Sequence, residues 1–261
     1  MNKMNASIFS KKFLVFSLAN LVCMAVSASQ IEQQQEKNLT LLPIKSFELI
    51  YEADFNGMQI KAVHRLTPLG ENQFEEYFEA KGILGKVTET ELFDITDNEI
   101  IVPLENTYRR SLIGTKRTEK QQYDWTNNQV TYSKGKKSEQ IPLKPGYLDS
   151  MSHKQQLRRD MAAGKNVLTY AVISRGKLKQ YTYQVIADEV LSTPIGPLDT
   201  RLIQRTNDDG TQTTKVWLAK DWDFIMIRLE RSDQGETQKM YFSSGQLGNK
   251  TIIPMVIDAE K

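Results

Sequence analysis

The sequence predicts a mainly β fold: a curved antiparallel sheet or open barrel with one short helix at residues 152–163, behind an N-terminal signal peptide. Three observations predict it. Apolar and polar residues alternate with a period of two through most of the chain. Turn signals built on Gly, Asn and Asp separate the alternating runs at regular spacing. A single segment carries the residue choice and end signals of a helix.

The first element is an address. Residues 1–12 are polar and contain Lys3, Lys11 and Lys12. Residues 13–26 are uncharged and mostly apolar, and Ser27-Ala28-Ser29 follows. A basic start, an apolar stretch and small residues make the order of a secretory signal peptide, cut here after Ala28. The competing reading is a retained anchor, because the uncharged run to Ile31 approaches the length of a membrane span. Ser17, Asn20, Ser27, Ser29 and Gln30 dilute that run. Asn20 and Val22 do not suit an acylated lipoprotein site at Cys23. Cys23 is the one cysteine in the sequence. After cleavage the expected chain is periplasmic and lacks any disulfide, thiol nucleophile or thiolate metal site.

Charge narrows the partners. The formal net charge is +2, yet the signal holds three lysines and no acid. Removing them from the 34 basic residues leaves 31 against 32 acidic ones, a net of −1. A near-neutral body gives no case for nucleic acid as a partner. After cleavage the protein is not expected to be an integral membrane protein.

Residues 29–45 read as a flexible leader, Gln/Glu-rich with little to bury. A single β-rich domain is expected over residues 46–244, with a C-terminal tail at 245–261. In residues 47–55 the apolar positions are Phe47, Leu49, Tyr51, Ala53 and Phe55, alternating with Glu48, Glu52 and Asp54. Asn56-Gly57 then supplies a hairpin turn, since both tolerate positive φ. Further strands are expected at 58–67, 74–80, 87–95, 99–104, 117–125 and 129–133. The second half adds 166–174 and 179–187 about a turn at Arg175-Gly176, then 198–206, 213–218, 224–231 and 237–242. One continuous, strongly curved sheet accounts for both halves better than two sheets.

The helix is placed by its ends. Ser152 precedes Gln155 by three, a capping-box spacing, and Gly164 sits where a C-terminal cap belongs. Leu157 and Met161 are four apart and share one face. Lys154, Arg158 and Arg159 are expected to point away from that stripe. The helix either packs on the sheet or covers it as a lid.

Three stretches, in order, carry a resemblance. They are Leu148-Asp149-Ser150, Thr193-Pro194-Ile195-Gly196 leading to Thr200, and Val216-Trp217-Leu218-Ala219. Over about residues 47–243 the chain resembles the bacterial exported family catalogued as domain of unknown function 3108. A proline that the family pattern would place near Ile225-Met226 is missing. The resemblance implies export and a β-rich fold, and carries no activity. At the level of fold the chain is also similar to periplasmic lipoprotein carriers, unclosed antiparallel barrels with helices over a concave face.

Chemistry is sparse. His64 and His153 are the two histidines. His64 shares a strand face with Ile60, Ala62 and Leu66, and a lone His makes no metal site. His153 stands near Asp149, Ser150 and Ser152 without the Gly-x-Ser-x-Gly elbow of a hydrolase, so those residues read as a helix start. No catalytic residue, metal site or cofactor is expected. Glu89 and Glu91 share a strand face about 6.5–7 Å apart, compatible with a glycan or peptidoglycan hydrolase, though a solvated strand shows the same spacing. Basic clusters at 108–120, 134–137 and 154–159 read either as ordinary strand exterior or as a local patch for an anionic surface.

Aromatic residues on strand faces give the functional expectation. Tyr181, Tyr183, Trp217 and Phe224, with Leu157 and Met161 of the helix, are the candidate ligand-binding residues. The expected role is non-catalytic binding of an apolar or amphipathic cell-envelope component: a lipid, a lipoprotein or a membrane-protein segment. The alternative is a structural or accessory subunit of an envelope assembly, with an envelope protein as partner.

Overall fold

A computed structural model describes residues 41–55, 58–207 and 210–254. The expected signal peptide at 1–28 and leader residues 29–40 lie outside the described residues, as does the Asn56-Gly57 turn. The described residues from Leu42 onward form one unit.

The first half is a meander. It runs β1 (Phe47–Phe55), β2 (Met58–Pro68), β3 (Gln73–Gly82), β4 (Gly85–Ile95), β5 (Ile101–Leu112), β6 (Thr115–Asp124), β7 (Gln129–Lys134) and β8 (Lys137–Pro142). A short β9 (Leu148–Asp149) leads into the helix α1 (Ser152–Ala162). The second half is β10 (Val167–Ser174), β11 (Lys177–Thr193), β12 (Gly196–Thr206), β13 (Gln212–Ala219), β14 (Ile225–Asp233), β15 (Glu236–Leu247) and β16 (Lys250–Thr251).

These strands make one sheet. Its order is β8-β7-β6-β5-β4-β3-β2-β1-β15-β14-β13-β12-β11-β10-β9, with β16 beside β15. The two meanders meet where β1 pairs β15, from Phe47 opposite Leu247 to Asp54 opposite Lys239. All pairs are antiparallel except β9 with β10. The path starts at β8 and ends at β9, so the barrel is open there. Register shifts at Ile50/Tyr51, Leu92/Phe93, Val185/Ala187 and Trp217/Leu218 bend the sheet into its curve.

The concave face is the core. Leu49, Tyr51, Leu66, Phe93, Ile203, Leu218, Ile227 and Phe242 are buried there with Leu157 and Met161 of α1. Side chains span the open gap. Tyr123, Val130 and Leu143 from the β6–β8 arm pack on Ile173 of β10. Gln121 donates to the Ile173 carbonyl at 3.3 Å and accepts from the Gly176 amide at 3.2 Å. Gly176 has φ 76°, and a Cβ there would lie 2.5 Å from the Tyr132 ring. Both the turn and the approach of the two arms therefore require glycine.

Several boundaries differ from expectation. β5 continues eight residues beyond the expected end at Leu104, because its partners β4 and β6 extend to the same hairpin level. β11 is 17 residues long. β15 runs past residue 244 to Leu247, and Ile252 is buried beyond it. Met151, not Ser152, is the N-cap of α1 and provides no side-chain cap. At the other end Gly164, at φ 74°, closes the helix with backbone bonds to Met161 and Asp160 from Gly164 and Lys165. Arg158 and Arg159, expected to point away, are both buried. Among the described residues no helix is long and apolar enough to cross a membrane.

Candidate functional site: a cationic cleft above a plugged interior

The interior is filled by α1 and its polar network. Glu76, wholly buried on β3, accepts from His64 Nε2 at 2.6 Å and from Gln155 Nε2 at 3.0 Å. Arg158 donates to Gln155 at 2.8 Å and to the Asp223 carbonyl at 2.9 Å, with its guanidinium over the Phe47 ring. Arg159 donates to the carbonyls of Leu42 and Glu99 and pairs with the Glu99 carboxylate. Those partners explain how two arginines are tolerated inside: each guanidinium makes two or three hydrogen bonds, most of them to acceptors held by other parts of the chain.

Burial keeps both histidines neutral by pushing their pKa values down, His153 to about 3. A neutral His153 donates from Nδ1 to the Asp149 carbonyl at 2.9 Å and accepts the Tyr183 hydroxyl at Nε2, 3.1 Å away. Beside it, Glu91 and Asp149 form a buried acid pair. Burial raises Glu91 well above the usual carboxylate range and holds Asp149 up at about 6. Both Glu91 oxygens and Asp149 Oδ2 lack a donor, whereas Asp149 Oδ1 accepts the amides of Met151 and Ser152. A proton on one Glu91 oxygen, donated to Asp149 Oδ2, joins the two carboxyls and leaves a single Glu91 oxygen without a donor.

An accessible concavity lies elsewhere, at the hairpin-tip end of the barrel. It is a cleft of about 470 Å³ between the β4–β7 arm and the β10–β14 arm. Ser150, just before α1, lines it together with residues from both arms. Register aligns Glu89, Tyr108 and Glu119 across β4, β5 and β6. Ser150 Oγ donates to Glu89, which also accepts from Asn106 at 3.1 Å. Glu119 pairs with Arg117 and accepts the Tyr132 hydroxyl at 2.7 Å.

The facing arm is basic. Arg175, Lys179, Arg205 and Arg231 line the cleft, and among the described residues none of them forms an ion pair. Arg175 lies 4.9 Å from the Tyr108 ring centroid and Arg205 lies 4.1 Å from that of Tyr181. Stacking on a tyrosine face fixes a guanidinium plane and leaves its N–H groups directed in that plane, where an anion can accept them. Arg205 Nε is buried without a partner. Tyrosine faces and hydroxyls beside fixed cations suit a polar, anionic, ring- or hydroxyl-bearing ligand.

The sequence-derived candidates scatter. Leu157, Met161 and Tyr183 are together in the filled interior. Phe224 is half-buried against the same core, in the turn before β14. Trp217 lies on the opposite sheet face, under Arg228 and donating to Glu189. Tyr181 alone lines the cleft. Glu89 and Glu91 do share a strand face, but Glu91 is wholly buried and the two do not flank an open site. Among the described residues no group of three or more His, Cys, Asp or Glu is placed to hold a metal.

Arg175, Lys179, Arg205 and Arg231 were not singled out from sequence. A signal exists. Along inward-facing positions, residues grade from apolar at the strand base to polar near the tip: Ile95, Phe93, Glu91, Glu89 on β4 and Ile225, Ile227, Leu229, Arg231 on β14.

A family model described as "Protein of unknown function (DUF3108)" matches residues 73–243. Among solved structures, the chain is similar to the crystal structure of a beta-barrel-like protein of domain of unknown function DUF1849 from Brucella abortus. The likeness has a TM-score of 0.53 at 9% identity and covers 80% of this chain and 100% of that one. At that identity it concerns the fold alone. No curated protein matches.

Proposed function

The chain belongs to the DUF3108 family, whose description assigns no activity, and from the cleft we propose that it is a non-catalytic binding protein for an amphipathic cell-envelope component, holding that component by an anionic head. The carrying observation is the set of four cations without ion pairs among the described residues, converging with three tyrosines on one cleft. The filled interior favours a head over a buried acyl chain, because Leu157, Met161 and Tyr183 already occupy the apolar space. The basic, apolar, small-residue order of residues 1–28 supports a place in the periplasm of a Gram-negative envelope.

Native mass spectrometry with short-chain phosphatidylglycerol, and with phosphatidylcholine of equal chain length, tests the reading. The anionic lipid should bind and the zwitterionic one should not. Arg175→Gln with Arg205→Gln should weaken binding about tenfold or more, as loss of two charge-assisted anion contacts does. Absence of any bound lipid, both in this titration and in protein purified from periplasm, would overturn it.

A further inference from the structure

We propose that the hairpin tips of the β3–β8 arm dock the protein on an anionic lipid bilayer. Docking is independent of a ligand in the cleft and rests on two turns. Ile83 is 84% exposed, Leu84 45% and Ile113 79%. The β3–β4 and β5–β6 tips that carry them are joined by a bond from the Ile113 amide to the Leu84 carbonyl, 3.1 Å. Gly85, at φ 134°, permits this closeness: a Cβ there would lie 2.1 Å from the Ser111 carbonyl oxygen. The result is one rigid apolar knob. It projects about 17 Å along β5 beyond Tyr108 of the cleft, five residues at strand rise.

Behind the knob lies a cationic belt. Cross-strand register places Lys61, Lys81, Lys86, Ser111 and Lys116 in one row across β2 to β6. The row is about 19 Å long at the usual strand spacing. Residues 81–86, 111–117 and 134–138 contain seven Lys or Arg and no Asp or Glu. Lys86 pairs with Glu79 and Arg117 with Glu119. Among the described residues Lys81, Lys116, Lys134, Lys136 and Lys137 form no ion pair. Like charges at directly opposite positions destabilise a sheet, and an anionic surface offsets that cost.

The far ends of the same strands are the reverse. Residues 69–73, 94–100 and 124–128 carry Glu71, Asp94, Asp97, Glu99 and Asp124 with no Lys or Arg. This arm is therefore polarised along its length, basic at the tips and acidic at the base, and a negative surface turns the tips toward itself. The shape selects lipid as the occupant. A narrow apolar knob ringed by lysines inserts among headgroups, whereas a stable protein interface needs a broad complementary face.

Vesicle co-sedimentation with the full mature chain tests this. The protein should bind vesicles of phosphatidylethanolamine with phosphatidylglycerol, bind phosphatidylcholine vesicles poorly, and release as salt rises. Ile83→Ser with Ile113→Ser should lower partitioning about tenfold or more, from the lost apolar insertion. Lys81→Gln with Lys116→Gln should lower it and flatten the salt dependence. All four positions are exposed, and an unchanged circular dichroism spectrum confirms the fold. The Arg175→Gln, Arg205→Gln protein should still bind vesicles, which separates docking from head recognition. Failure to bind the anionic vesicles at low salt would overturn the proposal. So would binding that needs the lysines but survives loss of both isoleucines, since that marks a soluble polyanion instead of a bilayer.

Discussion

The plugged interior and the cleft use the same residue types to opposite ends. Both hold arginines against aromatic rings, and both hold glutamates on inward strand positions. Inside, Arg158 lies over Phe47 with its protons given to Gln155 and the Asp223 carbonyl. In the cleft, Arg205 lies over Tyr181 with its Nε unmatched. Inside, Glu76 accepts from two side chains. A polar group that has every partner supplied by the fold contributes to one well-defined packing; one left without partners is available to something else. The difference teaches that charge within this barrel is informative only after its partners are accounted for.

The largest test removes a partner inside. Glu76→Ala leaves His64 and Gln155 without their shared acceptor and the Arg158 charge without a nearby carboxylate. The expected loss is about 3–5 kcal/mol of unfolding free energy, typical of breaking a buried charged network. Urea denaturation measures it. A loss no greater than that of an exposed substitution would dissolve the distinction between the two regions.

A smaller effect follows from protonation in the same interior. Asp149 is held up at about 6 and Glu91 well above the usual carboxylate range, mainly by burial. The folded chain thus keeps protons that the unfolded chain gives up above about pH 4. Stability from this pair is present at low pH and is lost as pH rises from about 4 through the raised folded values, about 6 for Asp149. His64 and His153 act in the opposite sense, because burial lowers both. The unfolded chain takes up their protons below about pH 6.5 and the folded chain does not, so their contribution is lost as pH falls. Between about pH 4 and 6 the acid pair therefore offsets the histidines. Glu91→Gln keeps a donor for Asp149 and removes one of the two acids, so the urea midpoint should rise more steeply with pH in that window than it does in wild type. An unchanged slope there would show that Glu91 does not hold a proton in the folded chain.

These two regions were unequally legible in the sequence. Alternation set the strands, and turn signals such as Arg175-Gly176 set the hairpins, because both are local. Open curvature also followed, since two long meanders with one helix between them need a concave face for it. The helix stripe at Leu157 and Met161 was readable for the same reason. Burial of Arg158 and Arg159 was not: their acceptors at Leu42, Glu99 and Asp223 are 60 to 117 residues away in the chain. Ser152 looked like a cap, but Asp149 Oδ1 supplies the acceptor for the Met151 and Ser152 amides. The cleft was the least legible part. Its cations come from four separate places, from the β10–β11 turn to β14, and only the closing of the two arms brings them together.

The smallest expected effect is on stability. If Arg205 is held mainly by its stacking on Tyr181, Arg205→Gln should lower the unfolding free energy by about 1 kcal/mol or less, the size of a partly exposed cation–π contact. Arg205→Lys should cost no more than that in denaturation. The two should part company in binding. Lysine keeps the charge but loses the planar stacking on Tyr181 and the two-pronged edge, so it should bind anionic lipid more weakly than wild type and more tightly than glutamine. Should Arg205→Gln instead cost as much stability as a buried-partner loss, the guanidinium has a structural acceptor after all. The cleft would then be a second, smaller copy of the interior network.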